Sequence, residues 1–217
     1  MRLLLASASP ARRTILRAAG IEPLVEPSGV DEPALLAAAA AQGPVPAAEQ
    51  VLLLARAKAR DVASRAGVEV LVLGCDSMLE LDGDVLGKPD DAADAVRRWH
   101  RMRGRRGLLH TGHWLVRPSD RAEVGATSTT AVTFADVTDA EIEAYVATGE
   151  PLAVAGAFTI DGLGGPFVSK VEGDPHGVVG LSLPLLRDLL GRLGVAVTDL
   201  WTLDRPAVPG AADDRTG

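Results

Sequence analysis

The stretch that most restricts the fold of this chain is a mainly apolar run, "VEVLVLGC", at residues 68–75, in which Glu69 is the only charged residue. Its β-branched, two-sided apolar composition predicts a buried strand in the middle of a sheet that is covered on both faces. A segment with helical spacing precedes it and ends at Gly67, and a strand followed by a helix opens the chain. Two long strands around a polar turn at Ser119 and Asp120 come later. We therefore predict an α/β fold with a mixed, largely central β-sheet and flanking helices.

Size and charge narrow the class of protein. The 217 residues suffice for one domain with a substantial core, to which we assign residues 1–203, and residues 204–217 are predicted to be a disordered tail. The net charge of −7 argues against binding to a nucleic-acid polymer. The single cysteine, Cys75, excludes an intramolecular disulfide, and no apolar run is long enough for a membrane span. We expect a cytoplasmic protein with no membrane partner.

The opening segment "LLLASASPARRTIL" contains an apparent conflict. It predicts a short strand over residues 3–6, a helix capped by Ser9, and two cations, Arg12 and Arg13, in the first helical turn. The helix dipole disfavours cations there, so removal of Arg12 should not destabilise the unliganded protein. A phosphate bound by the helix N-terminus, by the arginines and by the hydroxyls of Ser7 and Ser9 would resolve the conflict. The alternative is that Ser9 only caps the helix and both arginines face solvent.

Two acidic and two basic residues are further candidates for a site. Asp76 is predicted at the C-terminal end of the central strand, where open α/β sheets bind ligands, and it could hold Mg²⁺ or accept a proton from water. Glu32 is predicted in a loop. Lys58 lies among apolar residues and Lys88 follows a hairpin that turns at residues 82 and 83. A turn residue at a strand end and solvated lysines are the alternatives.

Other patterns do not support a site. The segment "GDVLGKP" at residues 83–89 lacks the glycine spacing and the Ser/Thr of a phosphate-binding P-loop. His110 and His113 lie three apart on a predicted strand, so they face opposite sides of the sheet and are not joint metal ligands. Cys75 is predicted to be a small core residue and not a nucleophile.

The candidate segments occur in one order: "SASPARR", "VDE", "ARAKA", "GCDSM", "LGKP", "GRRGLLHTGH", "AGAFTIDGLGG" and "VVGLSLPLL". This series resembles the Maf family of nucleotide pyrophosphatases over residues 3–190. The resemblance implies an α/β fold with two lobes around a deep cleft. It also implies hydrolysis of nucleoside triphosphates to the monophosphate and diphosphate with a divalent metal, Mg²⁺ or Mn²⁺. It leaves open whether the chain forms a homodimer.

The resemblance implies roles for individual residues. Asp76 matches the general base, and Glu32 with Asp76 would hold the metal. Three departures from the family pattern are Ala11 in place of an arginine, Val154 in place of a lysine, and Asp161 in place of Gln or Glu. Because the departures lie where base selectivity would be set, the preferred base is not assigned. The candidate substrate-binding residues are Ser7, Ser9, Arg12, Arg13, Lys58, Lys88 and Asp161.

The expected activity is hydrolysis of (d)NTPs, canonical or modified, to NMP and diphosphate. Two alternatives remain at this point. One is a nucleotide-binding regulator of cell division without catalysis, as the family's older "septum formation" label suggests. The other is a phosphatase that releases orthophosphate. Retention of both Asp76 and Glu32 argues against a pure binder, because a polyanion gains nothing from added negative charge.

Overall fold

A computed structural model describes residues 1–202 of the chain, and the predicted tail at 204–217 lies outside the described residues. The centre of the fold is one seven-stranded mixed sheet in the order β2-β1-β3-β5-β6-β7, with β4 paired to β3. Parallel pairs join β1 to β2 and β3, and all the other pairs are antiparallel. The strands are β1 (Arg2–Leu5), β2 (Leu24–Val25), β3 (Val70–Leu81), β4 (Asp84–Leu86), β5 (Arg106–Arg117), β6 (Ala122–Phe134) and β7 (Val168–Glu172).

Helices cover both faces of this sheet, as the apolar run at 68–75 predicts. One face packs on α3, and the other packs on α1, α6 and α7. Short 3₁₀ turns occupy much of the glycine-rich segment between α5 and β7. The α-helices are α1 (Pro10–Ala18), α2 (Glu32–Ala40), α3 (Ala47–Ala63), α4 (Ala92–Met102), α5 (Asp139–Ala147), α6 (Pro175–Val179) and α7 (Leu183–Arg192).

Two placements differ from the sequence-based expectation. The central strand does not end near Asp76 but continues to Leu81, because β5 and then β4 pair with its second half. Asp76 is therefore in the middle of β3. Glu32 is not in a loop but is the first residue of α2, whose N-cap is Asp31. The hairpin turn at residues 82 and 83 is confirmed, and both residues have the positive φ of a tight two-residue turn.

A gap in the sheet runs along one edge of β3. The parallel pairing with β1 stops at Leu73, and the antiparallel pairing with β4 starts at Leu79. Both strands lie on the edge of β3 opposite β5, because β5 pairs with β3 throughout this region. Within residues 1–202, the segment 74–78 of β3 consequently has no strand partner on that edge. We call this opening the β1–β4 gap; Asp76 and Ser77 lie within it and point to opposite faces of the sheet.

The helix α3 lies unusually close to the sheet at the level of the gap. A Cβ added to Gly74 would lie 2.1 Å from the carbonyl oxygen of Ala55, and one added to Gly112 would lie 2.3 Å from that of Val51. No larger residue fits at either position without moving the helix. This close approach brings Lys58 of α3 against the face of β3 that carries Asp76.

The described residues form two large hydrophobic clusters on either side of this level. One joins β1, α1 and α7 to the first half of β3, and the other joins α4, α5 and the glycine-rich segment to its second half. The division into two lobes around a deep cleft stays a prediction. Two elements, β7 and α6, were not anticipated from the sequence, because both are short and have few apolar residues.

Candidate active site

One part of the candidate site is an acidic pair clasping a lysine on the α3 face of β3. The Nζ atom of Lys58 lies 2.6 Å from Oδ1 of Asp76 and 2.8 Å from Oε1 of Glu32. Lys58 and Asp76 are both buried, whereas the Glu32 side chain is 44% exposed. The alternative of a lysine that extends to solvent is thus wrong for Lys58, and the structure brings together three residues proposed from the sequence.

The charge state of Asp76 reflects competing influences. Burial raises its pKa above the ordinary value, and this cause outweighs the attraction of the nearby Lys58 and Arg12 cations. A carboxyl whose pKa is raised in this way is better suited to accept a proton near neutral pH than an ordinary aspartate. Its neighbour Cys75 is fully buried, with a pKa raised to about 11, so its thiol is inert. The prediction of a core cysteine is confirmed.

The donor set at Glu32 and Asp76 fits a hard divalent cation in part. Within residues 1–202, no group of three or more His, Cys, Asp or Glu side chains is arranged to hold a metal. Mg²⁺ is, however, commonly held by one or two carboxylates together with substrate phosphates. Two carboxylates that reach one ammonium group can equally reach one cation between them. They fit an ion whose remaining ligands come from a phosphate chain and water.

The second part of the candidate site is Arg12, on the opposite face of β3. Its guanidinium donates from Nε to the carbonyl oxygen of Gly180 at 2.8 Å, from Nη1 to Oγ of Ser7 at 2.9 Å and from Nη2 to Oγ of Ser77 at 3.1 Å. Arg12 is buried, and among the described residues no carboxylate lies within ion-pair distance of it. A buried cation with only neutral partners retains its attraction for an anion.

Ser7 adds a hydroxyl donor for an anion in the same region. Its hydroxyl oxygen accepts one hydrogen bond from the backbone N–H of Ser9 at 3.2 Å and another from Arg12. With both lone pairs occupied, the hydroxyl proton is left to donate to a ligand. Ser9 caps α1 as predicted, by a long contact of 3.5 Å from the backbone N–H of Arg12. The first turn of α1 adds backbone donors that have no intrahelical partner.

The other basic candidates lie farther out. Arg13 is exposed, and within residues 1–202 its side chain makes no hydrogen bond or ion pair. Lys88 is also exposed, but its position is informative. It follows Gly87 directly after β4, on the far side of the β1–β4 gap from Ser7 and Arg12. Gly87 in turn accepts a backbone hydrogen bond from Gly156, which ties Lys88 to the glycine-rich segment.

Asp161 lies in the glycine-rich loop and lines a cavity of about 250 Å³ beside α1. Ala11 and His176 line the same cavity, so two of the three positions that depart from the family pattern face one space. The loop is shaped by Glu150, whose carboxylate accepts hydrogen bonds from Tyr145, Thr159 and the backbone of residues 163 and 164. These bonds lower the pKa of Glu150 although its burial acts in the opposite direction.

Sequence reasoning missed Ser77 and Gly180, which accept hydrogen bonds from Arg12, and Thr111, which hydrogen-bonds Ser77. Ser77 could have been found, because the residue after Asp76 on a strand must face the opposite side of the sheet. Gly180 could not, since it ends the unanticipated helix α6. The prediction that His110 and His113 face opposite sides is confirmed: His110 contacts Glu80 and Thr129, whereas His113 contacts the backbone of Ser182.

None of the helices in the described part of the chain has the length and apolar character needed to span a membrane.

Comparison with known proteins shows what this chain is similar to. Proteins named nucleoside triphosphate pyrophosphatase are similar to the chain along most of its length. That of Salinispora tropica is 58% identical over 206 residues, covering 93% of this chain and 88% of the relative. That of Leifsonia xyli subsp. xyli is 57% identical over 208 residues, covering 93% and 97%.

A more distant relative, from Mycobacterium sp. (strain JLS), is 52% identical over 209 residues and carries the same name; the alignment covers 93% of this chain and 98% of the relative. The family model described as Maf-like protein matches residues 2–193, which include every candidate site residue named above. The chain belongs to the Maf family.

Proposed function

We propose that this protein hydrolyses nucleoside triphosphates to the nucleoside monophosphate and diphosphate. The observation that carries the proposal is the arrangement of opposite charges around residues 74–78 of β3. A buried cation with neutral partners, Arg12, lies on one face, and a lysine clasped by two carboxylates lies on the other. The relatives named nucleoside triphosphate pyrophosphatase support the same activity.

The triphosphate would lie in the β1–β4 gap. Arg12, Ser7 and Ser9 would receive phosphate oxygens at the end of β1, and Lys88 would approach from the opposite side. Lys58 would contribute a second buried cation. Several cations around one polyanion neutralise its charge from different directions, so that charge developing during bond cleavage is stabilised without reorganisation.

Asp76 is the proposed general base. Its Oδ1 atom accepts a hydrogen bond from Lys58, and no described residue donates to Oδ2. A water molecule held by Oδ2 would transfer a proton to Asp76 as its oxygen attacks the α-phosphorus. The bond between that phosphorus and the bridging oxygen breaks, diphosphate leaves with the bond's electron pair, and the monophosphate retains the water oxygen.

A divalent cation, Mg²⁺ or Mn²⁺, is part of the proposal. Glu32 and Asp76 would hold it, and when bound it would supply charge neutralisation and a lower pKa for the attacking water. In this arrangement Lys58 keeps both carboxylates directed at one point. Without a counter-ion between them, the two carboxylates would repel each other.

Asp161 is proposed to contact the nucleoside part of the substrate. The cavity that it shares with Ala11 and His176 lies along the same helix that carries Arg12. Asp161→Gln and Ala11→Arg should therefore change the ratio of kcat/KM between different NTPs. If both variants keep the wild-type order of preference, the cavity does not receive the base.

The decisive experiment is product analysis with purified protein, a panel of canonical and modified NTPs, and Mg²⁺ or Mn²⁺ in turn. Diphosphate and NMP in equal amounts are expected, with no turnover after treatment with a chelator. Orthophosphate as the first product indicates the phosphatase alternative. Binding without turnover indicates the regulatory alternative, and no diphosphate from any NTP with either metal contradicts the proposal.

Two further aspects can be checked in the same preparation and in cells. Light scattering distinguishes a monomer from a homodimer. A cytoplasmic location is proposed because NTP substrates are abundant there, and fractionation of cells that express the full chain tests it.

A further inference from the structure

The Arg12 guanidinium is fixed by three hydrogen bonds to the protein, and the proposed reaction does not explain why it is fixed in this way. Three of its five N–H groups donate to protein oxygens from three separate elements: the end of β1, the middle of β3 and the end of α6. Within residues 1–202, the other two N–H groups, one on each Nη atom, have no partner. They remain available to a ligand, and with one on each Nη atom they can donate to two phosphate oxygens.

A series of hydrogen bonds runs from Arg12 through Ser77 and Thr111 to Gly177, and each residue donates to the next one. Ser77 and Thr111 contact each other through their hydroxyl oxygens at 2.9 Å, and Thr111 contacts the carbonyl oxygen of Gly177 at 2.8 Å. A carbonyl only accepts, so the Thr111 hydroxyl must donate to Gly177. The Thr111 oxygen can then only accept from Ser77, and the Ser77 oxygen accepts from Arg12. The direction of every bond is therefore fixed.

Burial makes this chain of bonds rigid. Thr111 is fully buried on β5, directly opposite Ser77 in the register of β3 and β5. The Thr111 hydroxyl cannot turn to another partner without leaving the buried carbonyl of Gly177 unpaired, and the half-buried Ser77 is held between Thr111 and Arg12. The carbonyl groups of Gly177 and Gly180 both come from the last turn of α6 and the residue that ends it, so α6 is joined to Arg12 by two routes.

We infer that Ser77 and Thr111 are positioning residues that fix the guanidinium of Arg12 for two oxygens of a phosphate chain. The inference rests on the proposed function for its substrate, but its geometry does not depend on which bond is cleaved. It also gives a reason why two adjacent residues of β3 serve the site. Asp76 acts on the α3 face, and Ser77 orients the phosphate-binding cation on the other face.

The test compares four variants of the full chain with the wild type: Ser77→Ala, Thr111→Val, Thr111→Ser and, as a matched control, Thr129→Val. Thr129 is on β6 and bonds His110, away from Arg12. Three quantities are measured: kcat and KM for the best NTP, the Kd of inorganic tripolyphosphate by calorimetry, and the melting temperature. Tripolyphosphate reports binding of the phosphate chain without any turnover.

We expect Ser77→Ala and Thr111→Val to raise KM and the Kd of tripolyphosphate about five- to tenfold, with kcat changed less than twofold. Thr111→Ser keeps the hydroxyl and should restore wild-type binding, and Thr129→Val should bind as the wild type does. In an Arg12→Lys background, Ser77→Ala should have little additional effect on Kd, because the side chain that it positions is gone.

Several results would overturn the inference. A lower melting temperature with unchanged Kd means that the two hydroxyls only stabilise the fold. A loss of kcat with unchanged KM means that Ser77 acts through Asp76 instead. If Ser77→Ala does not fold, the Thr111→Val and Thr111→Ser pair decides by the same criteria. Wild-type protein that binds tripolyphosphate but releases no diphosphate contradicts the proposed function alone, whereas wild-type protein that does not bind it contradicts this inference.

Discussion

Each face of β3 has a buried cation beside it, but the groups that surround the two cations differ in charge. On one face Lys58 lies between the carboxylates of Asp76 and Glu32, and this group carries a net negative charge when all three side chains are ionised. On the other face Arg12 is bound by two serine hydroxyls and a backbone carbonyl, all of them neutral. The two groups are joined by adjacent residues of one strand, Asp76 and Ser77.

This difference in charge indicates which kind of ligand each group can bind. Burial of an unneutralised cation is unfavourable, so a protein that keeps one without a counter-ion stabilises an anion that will bind there. The group around Lys58 has acceptor oxygens in excess and suits a cation. A triphosphate with its metal carries both features, and under the proposed function it would contact both groups through the β1–β4 gap.

The largest effect is expected from removing the charge of Asp76. Asp76→Asn preserves the shape but cannot accept a proton or hold a cation well, so kcat should fall about 10²–10⁴-fold. The variant should still fold, but its melting temperature should fall, because the buried Lys58 keeps only the partly exposed Glu32 as a counter-ion. Steady-state kinetics with diphosphate detection measures the change. Near-normal turnover would make Asp76 a structural partner of Lys58 only.

The next effect concerns pH and the Arg12 face, where His113 is completely buried. The backbone N–H of Ser182 donates to Nε2 at 2.8 Å, so the ring proton is on Nδ1 and donates to the carbonyl oxygen of Thr111. Burial, more than the nearby Arg12 charge, lowers the pKa of His113 to about 4 from 6.5; the Thr111 contact and the more distant Asp174 act in the opposite direction.

Because the unfolded chain binds this proton between pH 6.5 and 4 and the folded protein does not, the free energy of unfolding should fall as pH falls through that window. The full loss is about 3 kcal/mol, and the contribution is constant above pH 6.5. Urea unfolding at several pH values measures it. His113→Gln should flatten the dependence, while His176→Gln, at an exposed histidine, should leave it as in the wild type. An equal slope in His113→Gln assigns the effect to other groups.

The sequence was sufficient to predict the architecture and most of the charged groups of the site. The apolar run at 68–75 requires cover on both faces, and the cap and proline at residues 9 and 10 locate α1. What it could not supply were contacts between distant segments. That α3 presses on Gly74 and so brings Lys58 to Asp76 depends on tertiary packing, which no local pattern encodes.

The contribution of Arg12 to the stability of the unliganded protein shows the same limit of sequence-based prediction. From the helix dipole alone, its removal should spare the unliganded protein, at a gain of about 0.3–1 kcal/mol. The structure argues against that expectation, since losing any of the three hydrogen bonds to Ser7, Ser77 and Gly180 should cost more than the dipole effect gains. One of these partners is 168 residues away along the chain, so the sequence offers no signal for it.

A smaller effect is expected from Arg12→Lys, which keeps the charge but not the fork of donors. A lysine can make only some of the three bonds and cannot hold two phosphate oxygens side by side, so KM should rise about tenfold, as for the loss of one charge-assisted hydrogen bond. The melting temperature should fall as well. A normal KM with a lower melting temperature would make Arg12 a structural cation and remove the contrast between the two faces.

The smallest effect is expected from Arg13→Ala. Ala11 stands where the family has its first arginine, and Arg13 would be its substitute if its side chain reached the phosphate chain. In the structure Arg13 is exposed, and its position on α1 is rotated by about 100° from that of Arg12, which faces the sheet. We therefore expect KM to change less than twofold and the melting temperature to stay the same or rise slightly, because a cation leaves the first helical turn. Parallel kinetics on Arg12→Lys provide the comparison. A rise in KM for Arg13→Ala equal to that for Arg12→Lys would show that Arg13 turns toward the ligand, and the phosphate site would then extend around the solvent side of α1 instead of lying in the β1–β4 gap alone.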